Sequence, residues 1–366
     1  MRIKNWDIFA FIAGYHLLLF ALLPAFIGVF TWKAIVLCVI TWAISGFSIT
    51  AGYHRLFSHK TYKASPFYEW VALLSSSLAI QASALQWSND HRIHHSHVDT
   101  DKDPYCIKKG FFYAHVGWLF TYKVPIDERL VSDLMNNPRV MFQHKYYGWV
   151  TLAVNLLVFG VGCLFMHPLA SFVGGVLLRV FAIHHCTWFI NSLAHVWGSR
   201  TYAKEQTAAD NAIIALLTFG EGYHNFHHAI AHDYRNGIRW YHFDPSKWLI
   251  WTCSKLGLVK DLKWVSNIRL QQTLVNKDKE MILDHISREF DEKATEIRNK
   301  INELSELYHE KSQTLAKKLR EMKVATAERR KQLEHDIKEL KQELGELWKS
   351  WGDLTKFAAV QYSIAH

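Results

Sequence analysis

The chain has 366 residues, half of them apolar and 14% aromatic, with 20% charged and a formal net charge of +9. This composition excludes a disordered chain, a collagen-like repeat and a disulfide-stapled secreted fold; the five cysteines are scattered with no Cys-x-x-Cys spacing. Charge is segregated: residues 276–350 hold 17 Lys+Arg and 17 Asp+Glu, whereas residues 1–275 hold 24 basic against 15 acidic residues and nearly all the aromatics. Two domains suited to different solvents are expected, a membrane domain over residues 1–275 and a charged helical extension over 276–366. No nucleic-acid partner is expected.

Residues 8–30 and 34–53 are uncharged apolar runs of 23 and 20 residues. At 1.5 Å per helical residue each crosses a hydrocarbon layer about 30 Å thick, so the pair predicts a transmembrane hairpin. The first run is too long for a secretory signal, and no small-residue cleavage site follows it. Residues 67–85 form a shorter apolar run interrupted by Glu69, Ser75, Ser76, Ser77, Gln81 and Ser83. This run is expected to lie at the membrane interface or pack within the cytosolic part rather than span. Residues 149–166 and 169–190 predict a second hairpin, turned at His167-Pro168. The two hairpin tips hold one lysine between them, so the excess of Lys and Arg elsewhere predicts both termini on the cytoplasmic side. Beyond residue 276 the apolar positions repeat every 18 residues (Ile297, Leu315, Leu333, Trp351; Ile301, Leu319, Ile337), which is five turns at 3.6 residues. A nearly straight amphipathic helix or a hairpin of two is predicted, weakened near Gly345 and Gly352, with a stripe to bury on a second copy, on the cytosolic face or on another protein.

The chemistry is expected from 22 histidines that cluster. His54 and His59 end the second apolar run; His91, His94 and His95 follow the interrupted one; His224, His227 and His228 come some thirty residues after the fourth. Spacing of i, i+3, i+4 places three imidazoles on one helix face. A single histidine is usually a satisfied core residue, but two triads and a pair are better explained by metal, for which neutral imidazole is the commonest ligand. If the three clusters meet, an even number of crossings must separate them, which fixes the count at four spans. Eight histidines exceed one tetrahedral site, so two ions are the economical reading. With thiolate spacing absent and no Glu-x-x-His pair recurring on the spans, the donor set points to iron and oxygen chemistry. The architecture expected is all-α and integral to the membrane: four transmembrane helices in two hairpins, a cytosolic histidine-rich helical cap, and the C-terminal extension.

The boxes HRLFSH, HRIHH and HNFHH, in this order around two hairpins, resemble those of the integral-membrane fatty acyl desaturases, most of all the acyl-CoA Δ9 branch. GYHRLFSHKTYKAS, DTDKDPY, KKGFFYAHVGW and NSLAHVWG extend the resemblance over residues 15–258. It implies nine histidine ligands to two ferrous ions: His54, His59, His91, His94, His95, His195, His224, His227 and His228. Asn191 would hold a metal-bound water and, four residues before His195, shares its helix face. His195 stands alone in the sequence and is assigned only through the resemblance. The implied reaction inserts a cis double bond into a saturated acyl chain, with O2 as co-substrate and two electrons from a separate donor of ferredoxin, rubredoxin or cytochrome type. Gln81, Trp87, Thr187 and Trp188 match positions near the bend of the acyl tunnel, Lys108 and Lys109 match a basic pair that contacts coenzyme A, and Asp90 matches an acidic neighbour of the second box and is counted with the substrate-binding residues. Asn89 and Ala82 depart from the animal pattern (Arg and Asn), which leaves acyl carrier protein or a membrane lipid open as the acyl carrier. The remaining thirteen histidines, including His97, His184 and His185, read as structural. The C-terminal extension is expected to dock the donor or a second copy. Two other classes share parts of the pattern: a membrane hydroxylase or alkane monooxygenase, and a membrane receptor or scaffold with structural zinc.

Overall fold

The computed structural model describes residues 2–122, 124–289 and 291–362. The chain divides into two compact units, Met1–Trp264 and Val265–His366. Residue 276, where the charge pattern changes, falls inside a helix of the second unit, Asn267–His285. Packing therefore divides the chain eleven residues before composition does.

In the first unit, α1 (Trp6–Gly28) and α2 (Trp32–Ser58) are long and apolar enough to cross a membrane. Thr31 separates them, its side chain accepting the N–H of Lys33 as an N-cap. The interrupted run does not form one helix. It gives α3 (Pro66–Ser76), a tight turn, and α4 (Ala84–His97), because Ile80 (φ 53°) and Ala82 (φ 68°) take left-handed backbone that no helix continues through. At 11 residues α3 is too short to span. Next, α5 (Pro138–Lys145) and α6 (Tyr147–Cys163) meet at an 81° bend, and α7 (Pro168–His195) completes the spanning set. The described residues thus hold three helices able to cross alone and a fourth, α6, that meets the test together with α5. The turn at His167-Pro168 is capped by the His167 ring, which accepts the N–H of Leu169. Close approach of α2 and α7 depends on Gly174, where a Cβ would stand 2.7 Å from the Ala34 carbonyl oxygen. Small residues at such contacts let membrane helices pack backbone to backbone. Two short helices, α8 (Ala212–Leu217) and α9 (His224–Ala229), and then α10 (Pro245–Lys255) finish the unit. A two-stranded sheet pairs Lys63 with Lys260 and Ala64 with Val259.

The second unit is a three-helix unit: α11 (Asn267–His285), α12 (Glu292–Val324) and α13 (Ala327–Gln361). Ion pairs Lys318–Asp336 and Lys311–Glu343 step in opposite directions along α12 and α13, so these two form an antiparallel hairpin. The apolar stripe closes within the unit. Ile297, Ile301, Leu315, Leu333, Ile337 and Trp351 are buried together with Val275 and Ile282 of α11. Of the single helix and the hairpin that the periodicity allowed, the hairpin forms, and it and α11 supply the burial of the stripe. α13 runs through Gly345 and Gly352, with the neighbouring Leu344 and Trp351 anchored in the core.

Candidate metal centre

The end of α2 departs from α-helical geometry in a way that serves its two histidines. In an α-helix, residues five apart are rotated by about 140°, which would splay His54 from His59. Residues Ser48–Ser58 instead form wider π-type turns, and the two rings come to 4.8 Å between centroids. His91, His94 and His95 project from α4, whose N-cap Ser83 accepts the N–H of Gln86. His195 ends α7, and His224, His227 and His228 lie on α9.

These nine rings assemble into two sets. His54, His59, His91, His95 and His227 form one; His94, His195, His224 and His228 form the other. Within the sets Nε2 faces Nε2: 3.0 Å for His54–His227, 2.7 Å for His59–His91, 3.0 Å for His95–His227, 3.3 Å for His94–His228, and 3.1 Å for both His195–His224 and His224–His228. Imidazole nitrogens about 2.0–2.1 Å from one ion at angles of 90–109° stand roughly 2.8–3.4 Å apart, so the spacing suits a shared cation.

The outer partners support the same orientation. Nδ1 of His54 lies 2.7 Å from Oε2 of Glu221, and Nδ1 of His94 lies 2.8 Å from Oδ1 of Asp103. A carboxylate can only accept, so each ring carries its proton on Nδ1 and turns the Nε2 lone pair inward. Nδ1 of His91 meets the Tyr105 hydroxyl at 3.1 Å. Burial, and then neighbouring rings, hold His59, His91, His95, His224, His227 and His228 well below the ordinary histidine range. Neutral rings with converging lone pairs repel one another unless a cation stands between them, so the donor chemistry fits metal. Glu221 also accepts from the buried guanidinium of Arg55 at 2.9 and 3.1 Å, and Arg55 donates on to Asp244. Burial pushes the Glu221 carboxyl up, yet Arg55 and His54 leave it below its usual range.

A cavity of about 680 Å³ runs past both sets, touching His54, His91, His94, His224 and Asn191. Gln81, Trp87, Asp90, Thr187 and Trp188 line it as well. Gln81 donates to the Thr187 hydroxyl at 2.9 Å, and Trp87 stacks on His91 at 4.9 Å. Asp90 is half-buried, and loss of solvent pushes it up to about 6, even though Gln86 and Asn89 donate to it. Along α2 the lining continues to Gly46, eight residues before His54. A Cβ on Gly46 would overlap the Phe219 ring. Lys108 and Lys109 are not brought to this cavity. They sit on an exposed turn, Ile107–Lys109, where Lys109 donates to the Asp101 carbonyl and lies over the Tyr113 ring.

Several contributors escaped the sequence reading. Glu221, three residues before His224, and Asp103, inside DTDKDPY, are recognisable only once the histidine they hold is known. His184, read as structural, lines the cavity; it donates from Nε2 to the Ala79 carbonyl and accepts the Tyr15 hydroxyl, both distant in sequence.

Residues 30–259 match the family model for fatty acid desaturases. The chain belongs to that family. This desaturase-family chain is 41% identical over 280 residues to a "Probable acyl-CoA desaturase" of Schizosaccharomyces pombe, covering 74% of this chain and 58% of the yeast protein. It is 36% identical over 279 residues to "Acyl-CoA desaturase 1" of Saccharomyces cerevisiae, covering 74% of this chain and 52% of that protein. It is 35% identical over 266 residues to an "sn-1 stearoyl-lipid 9-desaturase" of Anabaena variabilis, covering 71% of this chain and 94% of the relative. The chain thus spans little more than half the length of the two yeast relatives. Family and apolar helices together make this a membrane protein, and its histidine sets could hold a metal centre.

Proposed function

We propose that this chain desaturates a saturated fatty acyl chain, carried as its acyl-CoA thioester, by inserting a cis double bond at the Δ9 position. The observation that carries the reading is the pair of histidine sets on one largely apolar cavity. The overall change removes two hydrogens from adjacent methylenes while O2, two electrons and two protons give two waters. Two iron ions, when bound, supply the oxidising chemistry that no side chain possesses. His54, His59, His91, His95 and His227 would hold one ion; His94, His195, His224 and His228 would hold the other, with Asn191 reaching it through water. The chain's own work is placement. The Gln81–Thr187 hydrogen bond and the Trp87 and Trp188 rings shape the middle of the cavity, so that one pair of carbons faces the two sets, and the apolar walls exclude bulk water. Both termini and the site face the cytoplasm, where a separate electron-carrier protein would dock; the Lys and Arg distribution supports this orientation. Acyl-CoA and Δ9 specificity rest on the names of the relatives.

The test is expression of the full chain in a host unable to make monounsaturated fat, followed by lipid mass analysis. Products two hydrogens lighter than the saturated chain are expected; a gain of one oxygen would identify a hydroxylase instead, and no new product would overturn the reading.

A further inference from the structure

The two histidine sets have different backing. Behind the five-histidine set stands Glu221, whose carboxylate is shared with Arg55 and with the Asn236 side chain, which donates at 2.6 Å. Behind the four-histidine set stands one short turn. Asp103 takes the His94 ring on Oδ1 and the N–H of Asp99 on Oδ2, at 3.2 Å. Asp99, held in left-handed backbone (φ 61°), reaches the segment after α7. Its Oδ2 accepts the N–H of Thr207 at 2.8 Å, and its Oδ1 accepts the Thr207 hydroxyl at 2.5 Å. That hydroxyl has spent its only proton on Asp99, so its contact with Nδ1 of His195, at 2.7 Å, is accepted from the ring. His195 is thereby held with its proton on Nδ1 and its Nε2 lone pair facing His224.

Resting on the reading that both sets hold metal, we propose that Asp99 and Thr207 form a latch that positions His195 and governs metal binding at the four-histidine set alone. His195 is the member that needs such a device. The other three rings of its set come from helices carrying several histidines, whereas His195 stands at a helix end with no histidine beside it in sequence. Among the hydrogen bonds of the described residues, neither Asp99 nor Thr207 reaches a ring of the five-histidine set. The charge delivered through Thr207 also makes His195 a better donor, as carboxylates behind metal-binding histidines do. Asp99 and Thr207 are positioning residues; neither faces the cavity.

The full chain is purified, loaded with ferrous iron, and characterised by iron content per chain and by Mössbauer spectroscopy. Wild type is expected to bind about two ions with two distinguishable signals. Thr207→Val removes the acceptor while keeping the shape. It should weaken the four-histidine site roughly 10–100-fold, lowering iron to about one per chain with loss of one signal. Asp99→Asn should do the same to a smaller degree, and Thr207→Ser should restore the wild-type pattern. Thermal unfolding of each variant guards against a folding defect: Thr207→Ser and Asp99→Asn keep hydrogen-bonding groups at their positions. Full occupancy at wild-type affinity in Thr207→Val overturns the latch while leaving the two-ion reading intact. Simultaneous loss of both signals also overturns it, because the sets would then not be separable. A wild-type chain that binds no iron overturns the metal reading and the latch together.

Discussion

The histidine-lined centre of the first unit, which sits among ordinary apolar clusters, and the interior of the second unit are built on opposite principles. The second unit buries an apolar stripe, Ile297, Ile301, Leu315, Leu333, Ile337 and Trp351, contributed by helices adjacent in sequence. The first unit gathers nine imidazoles, seven of them buried, and the buried charged trio Arg55, Glu221 and Asp244, drawn from segments up to 189 residues apart. Apolar burial is additive and forgiving, since each side chain contributes by area. Buried polar groups stabilise only as complete sets, and a missing partner leaves an uncompensated charge or dipole. Truncation should therefore be graded in the second unit and close to all-or-none at the polar centre of the first.

The sharpest break is expected at His94→Ala, which removes a ring of the four-histidine set together with the partner of Asp103. New unsaturated product should vanish, with iron content reduced; persistent product would show that the set is not where chemistry occurs. Next in size is Arg55→Met, which leaves Glu221 and Asp244 buried without their shared cation. A loss of about 3–5 kcal/mol in unfolding free energy is expected by denaturant titration. Simultaneous removal of all three charges with apolar substitutes should cost less, and an equal or larger loss would contradict the completeness argument. In the second unit Ile301→Ala should cost about 2–5 kcal/mol locally, read by hydrogen exchange in α11, α12 and α13, with desaturation unchanged. A fall in turnover would show that the extension takes part in function. Gly46→Ala introduces the overlap with Phe219 and should shift product lengths toward shorter chains, with discrimination of roughly tenfold or more per methylene, read from competing acyl-CoA substrates. The smallest effect belongs to Lys108→Ala with Lys109→Ala. Exposed and away from the cavity, they should change KM by no more than about fivefold, the worth of a surface charge contact; a larger rise in KM would place the carrier head group on that turn.

Periodicity and spacing alone located the long apolar helices, enough for three or four membrane crossings, and predicted that His54, His59, the triad on α4 and the triad on α9 belong to one kind of site. These are local properties: hydrophobic length is set by 1.5 Å per residue, and i, i+3, i+4 spacing always shares a helix face. Resemblance to a family was needed for His195 and Asn191, since one histidine at a helix end carries no periodic signal. Folding decided the rest. The left-handed residues Ile80 and Ala82 that break the third apolar run, and the break at Ala325 and Thr326 that folds α12 onto α13, carry no proline or glycine to announce them, and the π-type turns that bring His54 beside His59 hold only Gly52 within a continuous helical run. Nor could any spacing pair His54 with Glu221, His195 with Thr207 and Asp99, or Gly46 with Phe219. Such pairings join groups far apart along the chain, and their energies depend on distances and burial that exist only once the backbone has closed around them.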